Sequence, residues 1–556
     1  MKSIYKKIYI PTVSILIILL LGSCLDDLNI APVNPNVSST FYQDEVFAKI
    51  YSSLALTGQK GPDGIGDVAG IDEGTSAFVR LVWNLNELTT DEAMCSWGDP
   101  GIPEMNYNTW SSSHSNIKGL YGRLYFNITL INEFLSKIEG MTDEKTVRQR
   151  AEARFMRALN YFYLMDMFGS VPFTESVTIS ESPKQISRVN LFNYINKELS
   201  QCESDMYEPN TSKPYYRANK VANWLLRSRI YLNAEVYTGT PKWDSAAIYA
   251  KKVIDPSSGY SLCPTFRHLF MADNAGVIDG STVNQAPKEI IFAIAADGVQ
   301  TKSWGTSLFL IASTHTGDMP GWGTTEGWGG NRARAALVKK FFPGSAVFSD
   351  NNDLTTAKVP TLSVKDARAL FLKGGVIIKS KLDPTKDSIN TSIRTMGIVS
   401  NTFKEGYSVI KYSNLRADGA KANDVQFTDT DVPLMRQAEA YLNYAEAVTR
   451  GAAPIEGYTA LQAINTLRTR AGKTTPLTSL TLQNIIDEWA REFFFEGRRR
   501  MDLIRFGHYG GTNTGYTWDW KGGDAAGKDF SSDYNVFPIP VSEINANPNL
   551  KQNNGY

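Results

Sequence analysis

The sequence predicts a mainly α-helical protein in which TPR-like helix pairs form a scaffold and a large loop-rich excursion containing short strands is set into it. Three observations predict this. Apolar and small residues step by four and three along several long segments. Alanines alternate with large aromatics on the predicted buried faces, which lets neighbouring helices approach closely, as in tetratricopeptide pairs. Between about Gly259 and Tyr412 the composition changes to Gly, Ser, Thr, Asn and Asp. A regular repeat of about 34 residues is absent, so the pairing is inferred from the residue pattern.

The chain opens with Lys2, Lys6 and Lys7 and an apolar run from Ile8 to Leu21, and the run stops at Leu21-Gly22-Ser23-Cys24. About 14 apolar residues are too few for a hydrocarbon core that needs roughly 20, so residues 1–23 read as a signal peptide. A Leu, two small residues and a Cys resemble a bacterial lipobox. Cys24 is therefore expected to become the acylated first residue, with its lipid as the membrane anchor, and Leu25-Asp26-Asp27 looks like the acidic tag of surface lipoproteins. Residues 24–40, with Pro32 and Pro35, read as a tether. Residues 41–556 are expected to form one domain, with 259–412 as its excursion.

The clearest helical stripes are Ala151, Phe155, Ala158, Phe162 and Met165, closed by Gly169, and Leu434, Ala438, Tyr441, Ala445 and Val448, opened by Pro433 and closed by Gly451. Others run through Val221, Leu225, Ser228 and Leu232; through Leu461, Ile464, Leu467 and Ala471; and through Leu482, Ile486, Trp489 and Phe493. Within the excursion, 289–294 and 376–380 read as short strands. Loops of such length inside a compact domain are usually functional.

Removing residues 1–23 takes three lysines and no acid from a chain of 57 basic and 57 acidic residues, leaving a net charge of about −3. That balance argues against a nucleic-acid partner, whose phosphates demand a clustered cationic excess. Beyond Cys24, the cysteines are Cys95, Cys202 and Cys263, too few and too scattered for a disulfide framework or a thiolate zinc site. His114, His268, His315 and His508 are equally scattered, and no nucleophile elbow, phosphate loop or dinucleotide fingerprint occurs in its proper setting. The chain therefore reads as a non-catalytic protein, although two carboxylates meeting in space could still suit glycoside hydrolysis.

Two tryptophan-bearing clusters point instead to binding. One contains Asp72, Arg80, Trp83, Asp91-Glu92 and Trp97-Gly-Asp-Pro100; the other contains Trp304-Gly305 and the run from Met319 through Trp322 and Trp328 to Gly330. Flat aromatic faces suit the C–H faces of sugars, while Asp, Asn and Arg satisfy hydroxyls that lose water. The alternative for Trp83, Trp322 and their like is a structural plug in a sparse loop region. Asp429-Thr430-Asp431 reads either as the N-cap of the Leu434 helix or, with Asp273, as a hard-cation site.

Four blocks near the C-terminus carry a resemblance to a known family: Asp431-Val-Pro-Leu-Met-Arg-Gln-Ala-Glu-Ala-Tyr-Leu-Asn-Tyr-Ala-Glu-Ala447, Ile464-Asn-Thr-Leu-Arg-Thr-Arg-Ala-Gly472, Asp487-Glu-Trp-Ala-Arg-Glu-Phe-Phe-Phe-Glu-Gly-Arg-Arg-Arg-Met-Asp502 and Phe537-Pro-Ile-Pro540. In this order they resemble the SusD/RagB family of surface nutrient-binding lipoproteins. Segments such as Asp72-Glu-Gly74, Leu269-Phe-Met-Ala-Asp-Asn274 and Trp518-Asp-Trp-Lys-Gly-Gly523 extend the resemblance to a starch-binding member over nearly the whole mature chain. It implies a surface binder of starch or maltooligosaccharide on the outer membrane that serves a SusC-like TonB-dependent transporter. Carried over position by position, it implies polar contacts from Asp72 and Arg80 and stacking from Trp97, Trp304 and Trp328. Position 304 has Tyr in the relative, and Cys95 stands where the relative has a further tryptophan. The loop Gly98-Asp-Pro-Gly101 is one residue shorter, so Asp99 stands in for an Asn contact. A structural calcium at Asp273, Asp429 and Asp431 is implied, and no other cofactor. Another glycan or a peptide as cargo, or a pure adaptor role toward the transporter, are the rival readings.

Overall fold

The computed structural model describes residues 40–177, 181–209, 215–276, 282–316, 319, 322–341, 366–372, 377–378, 388–389, 403 and 407–556. The signal peptide, Cys24, the tether up to residue 39 and most of the strand expected at 376–380 lie outside these residues. The chain divides into units 1–47 and 48–556. The described part of the first opens the helix Gln43–Ser52, and the second holds the scaffold and the site.

The principal helices of the second unit are α1 (Phe78–Trp83), α2 (Ser115–Lys137), α3 (Glu144–Phe168), α4 (Arg188–Cys202), α5 (Lys220–Leu232), α6 (Trp243–Ile254), α7 (Ser307–Ala312), α8 (Gln437–Thr449), α9 (Ala460–Arg470), α10 (Leu482–Phe493) and α11 (Arg499–Arg505). Four short strands matter to the site: β1 (Ala93–Cys95), β2 (Ile290–Ile294), β3 (Asn331–Ala333) and β4 (Val432–Arg436). Helix α2 packs on α3, α3 on α4, α5 on α6, α6 on α8, and α8 on α9 and α10. This is the expected fold: helix pairs with a loop-rich excursion set into them. The excursion leaves after α6 and returns at α8, two helices that pack against each other, so it is inserted between partners.

Local chemistry explains the helix ends. Asp143 accepts the Thr146 N–H and opens α3, while Gly169, at φ 73°, closes it. Thr459 and Thr481 form capping boxes with Gln462 and Asn484 at the starts of α9 and α10. Helix α2 escaped the periodicity because Gly119 and Gly122 interrupt its stripe, yet Gly119 has a packing reason. A Cβ there would come within 2.6 Å of Ile71 Cδ1.

One expected boundary is corrected. The helix anticipated from Pro433 begins only at Gln437, and Asp429 and Asp431 do not cap it. Residues Val432–Arg436 pair antiparallel with Ile290–Ile294 of the excursion, with register irregularities after Pro433 and Met435. The competing force is the strand partner, together with the side chain of Arg436, which is drawn into a buried ion network.

That network joins excursion to scaffold. Glu492 of α10 accepts from Arg436 Nη1 at 2.6 Å, from Arg368 Nη1 at 3.0 Å and from Arg470 of α9. Arg436 also reaches Glu289 at 2.9 Å and Glu496 at 2.7 Å, and Lys411 donates to Glu496 at 2.6 Å. Burial pushes the Glu492 carboxyl up, but Arg470, Arg436 and Arg368 outweigh it and hold the group well below its ordinary range. Glu289, Arg368 and Lys411 come from the excursion, Arg436 from β4, Arg470 and Glu492 from α9 and α10, and Glu496 from the turn that follows α10.

A second set of bonds fixes the N-terminal site segment to the same C-terminal block. Arg499 pairs with Asp91 at 2.7 Å, Trp83 Nε1 donates to Phe495 O at 3.1 Å, and Glu87 accepts the N–H groups of Gly497 and Arg498. Phe495 itself is buried at φ 62°, a costly conformation for a bulky residue, and it is held from both sides by Trp83 and by Glu92, which accepts its N–H.

Replacing Glu492 by Ala removes the one carboxylate that Arg368, Arg436 and Arg470 share and leaves the buried network with an excess of positive charge. The variant is expected to lose roughly 3–5 kcal/mol of stability, read as a fall in the denaturation midpoint; a loss below about 1 kcal/mol contradicts the assignment of Glu492 as the hub.

Candidate functional site

The site grows from a short ladder. Strand β1 pairs antiparallel with β3, with Cys95 opposite Asn331. Because the strands run in opposite directions, the end of β1 lies beside the start of β3. Trp97, two residues past Cys95, and Trp328, three before Asn331, therefore emerge at the same edge. The Ser96 N–H donates to Gly330 O at 3.0 Å. Gly330 sits at φ 130°, and any Cβ there would collide with Trp97 Nε1, so the indole occupies space that only glycine leaves open.

Trp304 arrives from the excursion just before α7. Its neighbour Gly305 lies so close to Gly74 and Ala77 that no side chain fits, and Gly305 O accepts the Arg80 N–H at 3.1 Å. The Trp304 and Trp328 rings have centroids 6.2 Å apart and planes inclined at 52°. Both pack on a buried cluster of Leu308, Ala312 and Phe427, and the Phe427 ring lies 4.9 Å from that of Trp304. The Arg80 guanidinium lies 5.5 Å from the Trp97 ring and 5.1 Å from that of Phe309. Its Nε is buried without a hydrogen-bond acceptor among the described residues. Burial holds the Arg80 pKa below its ordinary value, against the pull of Asp72 and other nearby anionic groups.

Arg80, Trp97, Asp99, Trp304, Glu326 and Trp328 line one open cleft of about 450 Å³. Five of the six expected binding residues thus meet, though 248 positions separate Arg80 from Trp328. Asp72 is exposed at the margin, bonded to the N–H and hydroxyl of Thr75 at 3.0 Å each, and sits beside Gly74 under Trp304. Asp99 is exposed on a turn fixed by the Ile102 N–H to Asp99 O bond and by His114 Nε2 against Gly101 O. Three half-buried rings, one cation and two carboxylates around an open trough can cradle an uncharged polyhydroxylated chain by its C–H faces and hydroxyls.

Other expectations are revised. Trp83 and Trp322 are 2% and 3% exposed, so they are structural plugs, and Trp83 lies on helix α1 rather than in a loop. Cys95 is 1% exposed and burial pushes its thiol up to about 12, so it offers no stacking face. Phe309 and Phe427, which back the arc, and Glu326, which lines it, were not anticipated. Glu326 had a signal, a lone carboxylate between glycine and tryptophan turns. The two phenylalanines had none.

Asp273, Asp429 and Asp431 do not form a single ligand set. Among the described residues no group of three or more His, Cys, Asp or Glu side chains is placed to hold a metal. Asp273 is taken up by the N–H groups of Ala417 and Asp418 and the amide of Asn284. Asp429 and Asp431 accept one backbone N–H each, from Asn423 at 2.8 Å and Ala296 at 2.7 Å, and each keeps one buried oxygen without a donor among the described residues. Burial, then the Asp297 and Asp429 carboxylates, push Asp431 up to about 7.

The chain covers 96% of the starch-binding protein SusD of Bacteroides thetaiotaomicron and the match covers 96% of this chain, with 43% identity over 552 residues. The chain belongs to the SusD family. The family model described as SusD family matches residues 288–556, and a second, described as starch-binding associating with outer membrane, matches 80–232. A SusD-like protein of Formosa agariphila is 24% identical over 96% of this chain and 97% of its own length. Among solved structures, a SusD-like protein from Bacteroides fragilis aligns with a TM-score of 0.66 at 20% identity, over 95% of this chain and all of that one. Surface glycan-binding protein A from Bacteroides thetaiotaomicron, in complex with laminarihexaose, aligns with a TM-score of 0.62 at 20% identity over 92% and 99%. These structures share the SusD fold with this family member.

Asp431 gives a pH test. Its folded pKa lies above the unfolded value of about 3.9, so the stability it contributes is fully present below about pH 4 and is lost as pH rises toward 7, on the order of 4 kcal/mol in the limit. In EDTA, Asp431→Asn is expected to gain melting temperature relative to wild type steadily from pH 4.5 to 7.5; a constant difference overturns the assignment.

Proposed function

We propose that this chain is a non-catalytic α-glucan binder that captures starch or maltooligosaccharide at the cell surface and passes it to a SusC-like TonB-dependent transporter. The observation that carries the reading is the pair of tryptophans inclined at 52° above a cleft that also presents Arg80, Asp99, Glu326 and Trp97. Two tilted rings follow the curve of a helical glucan, whereas coplanar rings suit a flat chain. The 43% identity to a starch-binding protein supports the choice of cargo. Surface placement rests on the second matching family model and on the lipobox-like Leu21-Gly22-Ser23-Cys24.

One observation favours a rival cargo. Cys95 is buried where the resemblance places a further tryptophan in the starch-binding relative, so the arc here is built from three rings. A different glycan on the same trough is the second reading.

Isothermal titration with maltoheptaose decides between them: saturable heat at millimolar ligand is expected, and silence removes the α-glucan. Trp328→Ala is expected to weaken binding at least tenfold, about 1.4 kcal/mol, with an unchanged circular dichroism spectrum.

The calcium implied by resemblance would take Asp429 and Asp431, each of which keeps a buried oxygen without a donor among the described residues, and not Asp273, whose oxygens are taken up by backbone N–H groups. Added calcium at pH 7.5 is expected to raise the wild-type melting temperature and leave Asp431→Asn unmoved; equal responses contradict that pair as the site.

A further inference from the structure

Glu326 is a cleft-lining residue that none of the expected contacts includes. Its Oε2 accepts the Trp328 Nε1–H at 2.7 Å, and its Oε1 accepts Gln426 Nε2 at 2.8 Å. The backbone leading into it is tied down: Thr324 Oγ1 donates to Gln426 O at 2.6 Å and accepts the Glu326 N–H at 3.2 Å, and the Thr325 N–H donates to Val425 O at 2.8 Å. The carboxylate is thus fixed by one side chain and in turn fixes another.

Two consequences follow from the geometry. An indole has one polar atom, and holding that N–H pins the ring about its remaining torsions, so Glu326 sets the inclination of Trp328 against Trp304. The same carboxylate faces the cleft, whose other charged lining groups are Arg80 and Asp99. Arg80 lies over the Trp97 and Phe309 rings, whereas the two hydrogen-bond partners of the Glu326 carboxylate, Trp328 and Gln426, are both neutral. A sugar stacked on Trp328 therefore lies next to an anion whose bonded partners carry no charge.

We propose that Glu326 is a positioning and specificity-determining residue: it locks the Trp328 platform and makes the cleft reject acidic glycans, those bearing uronates or sulfates, in favour of neutral ones. This rests on the glycan-binding reading of the cleft and deepens it by naming the charge class of the cargo. Like charges at contact distance in a partly desolvated trough disfavour association, and rejection of the wrong ligand is as much a part of specificity as attraction to the right one.

The test titrates the purified protein with maltoheptaose and with maltoheptaose oxidised at C6 to carry glucuronate units. Wild type is expected to prefer the neutral ligand at least tenfold at low salt, the preference shrinking as ionic strength rises. Glu326→Gln keeps an acceptor for the indole but removes the charge: neutral affinity is expected to fall two- to threefold while affinity for the oxidised ligand rises, so the preference collapses. Glu326→Ala removes both and is expected to weaken maltoheptaose binding tenfold or more, with a red shift or broadening of tryptophan emission and an unchanged melting temperature. A Glu326→Gln variant that retains the full preference overturns the specificity role, and a Glu326→Ala variant that binds maltoheptaose as wild type does overturns the positioning role. Wild type that binds neither ligand removes the α-glucan reading itself, a result distinct from both.

Discussion

The structure depends on a buried carboxylate that three arginines share. Glu492 sits on a terminal helix of the scaffold, yet its partners come from the excursion, from the strand that ends it and from the neighbouring helix. Desolvating so many charges is expensive and is offset only if every one is matched, so the network tolerates few alternative placements of the excursion. This is how the described part of a segment poor in regular structure comes to be held in one position. Hydrophobic packing alone, being non-directional, would leave such a segment free to slide.

The fold was readable where the helix period is clean. Helices α5, α9 and α10 begin and end close to where their stripes do, and α3 ends just before the expected Gly169 although it begins at Glu144, ahead of its stripe. Helix α2 was hidden by Gly119, which lies close to Ile71 and Leu81, and Gly122, which lies close to Val68, a tertiary fact without a local signature. The start of α8 departs from its stripe because Val432–Arg436 pairs as a strand with Ile290–Ile294, a partner that no local pattern announces.

The site was readable as residue types and not as geometry. Glycine- and proline-bracketed tryptophans announced a display of rings, and resemblance singled out the ones that matter. Nothing local separated Trp83, which donates into the backbone of Phe495 and is buried, from Trp97, which overhangs Gly330. Phe309 and Phe427 contribute from below, and Phe427 lies over a hundred positions from the ring it supports. Likewise, two aspartates before a proline carry the same local pattern whether they cap a helix or are buried with open oxygens.

The pairing of β1 with β3 has a consequence for how cargo preference is inherited. Trp97 and Arg80 belong to the segment before the scaffold's first long helices, Trp304 and Trp328 to the excursion, and the ladder of three residue pairs makes them neighbours. A graft that exchanges the excursion alone between relatives would carry half of a recognition surface and confront it with a foreign other half. Diversification of ligand within this architecture is therefore a matter of two distant stretches of gene changing in concert.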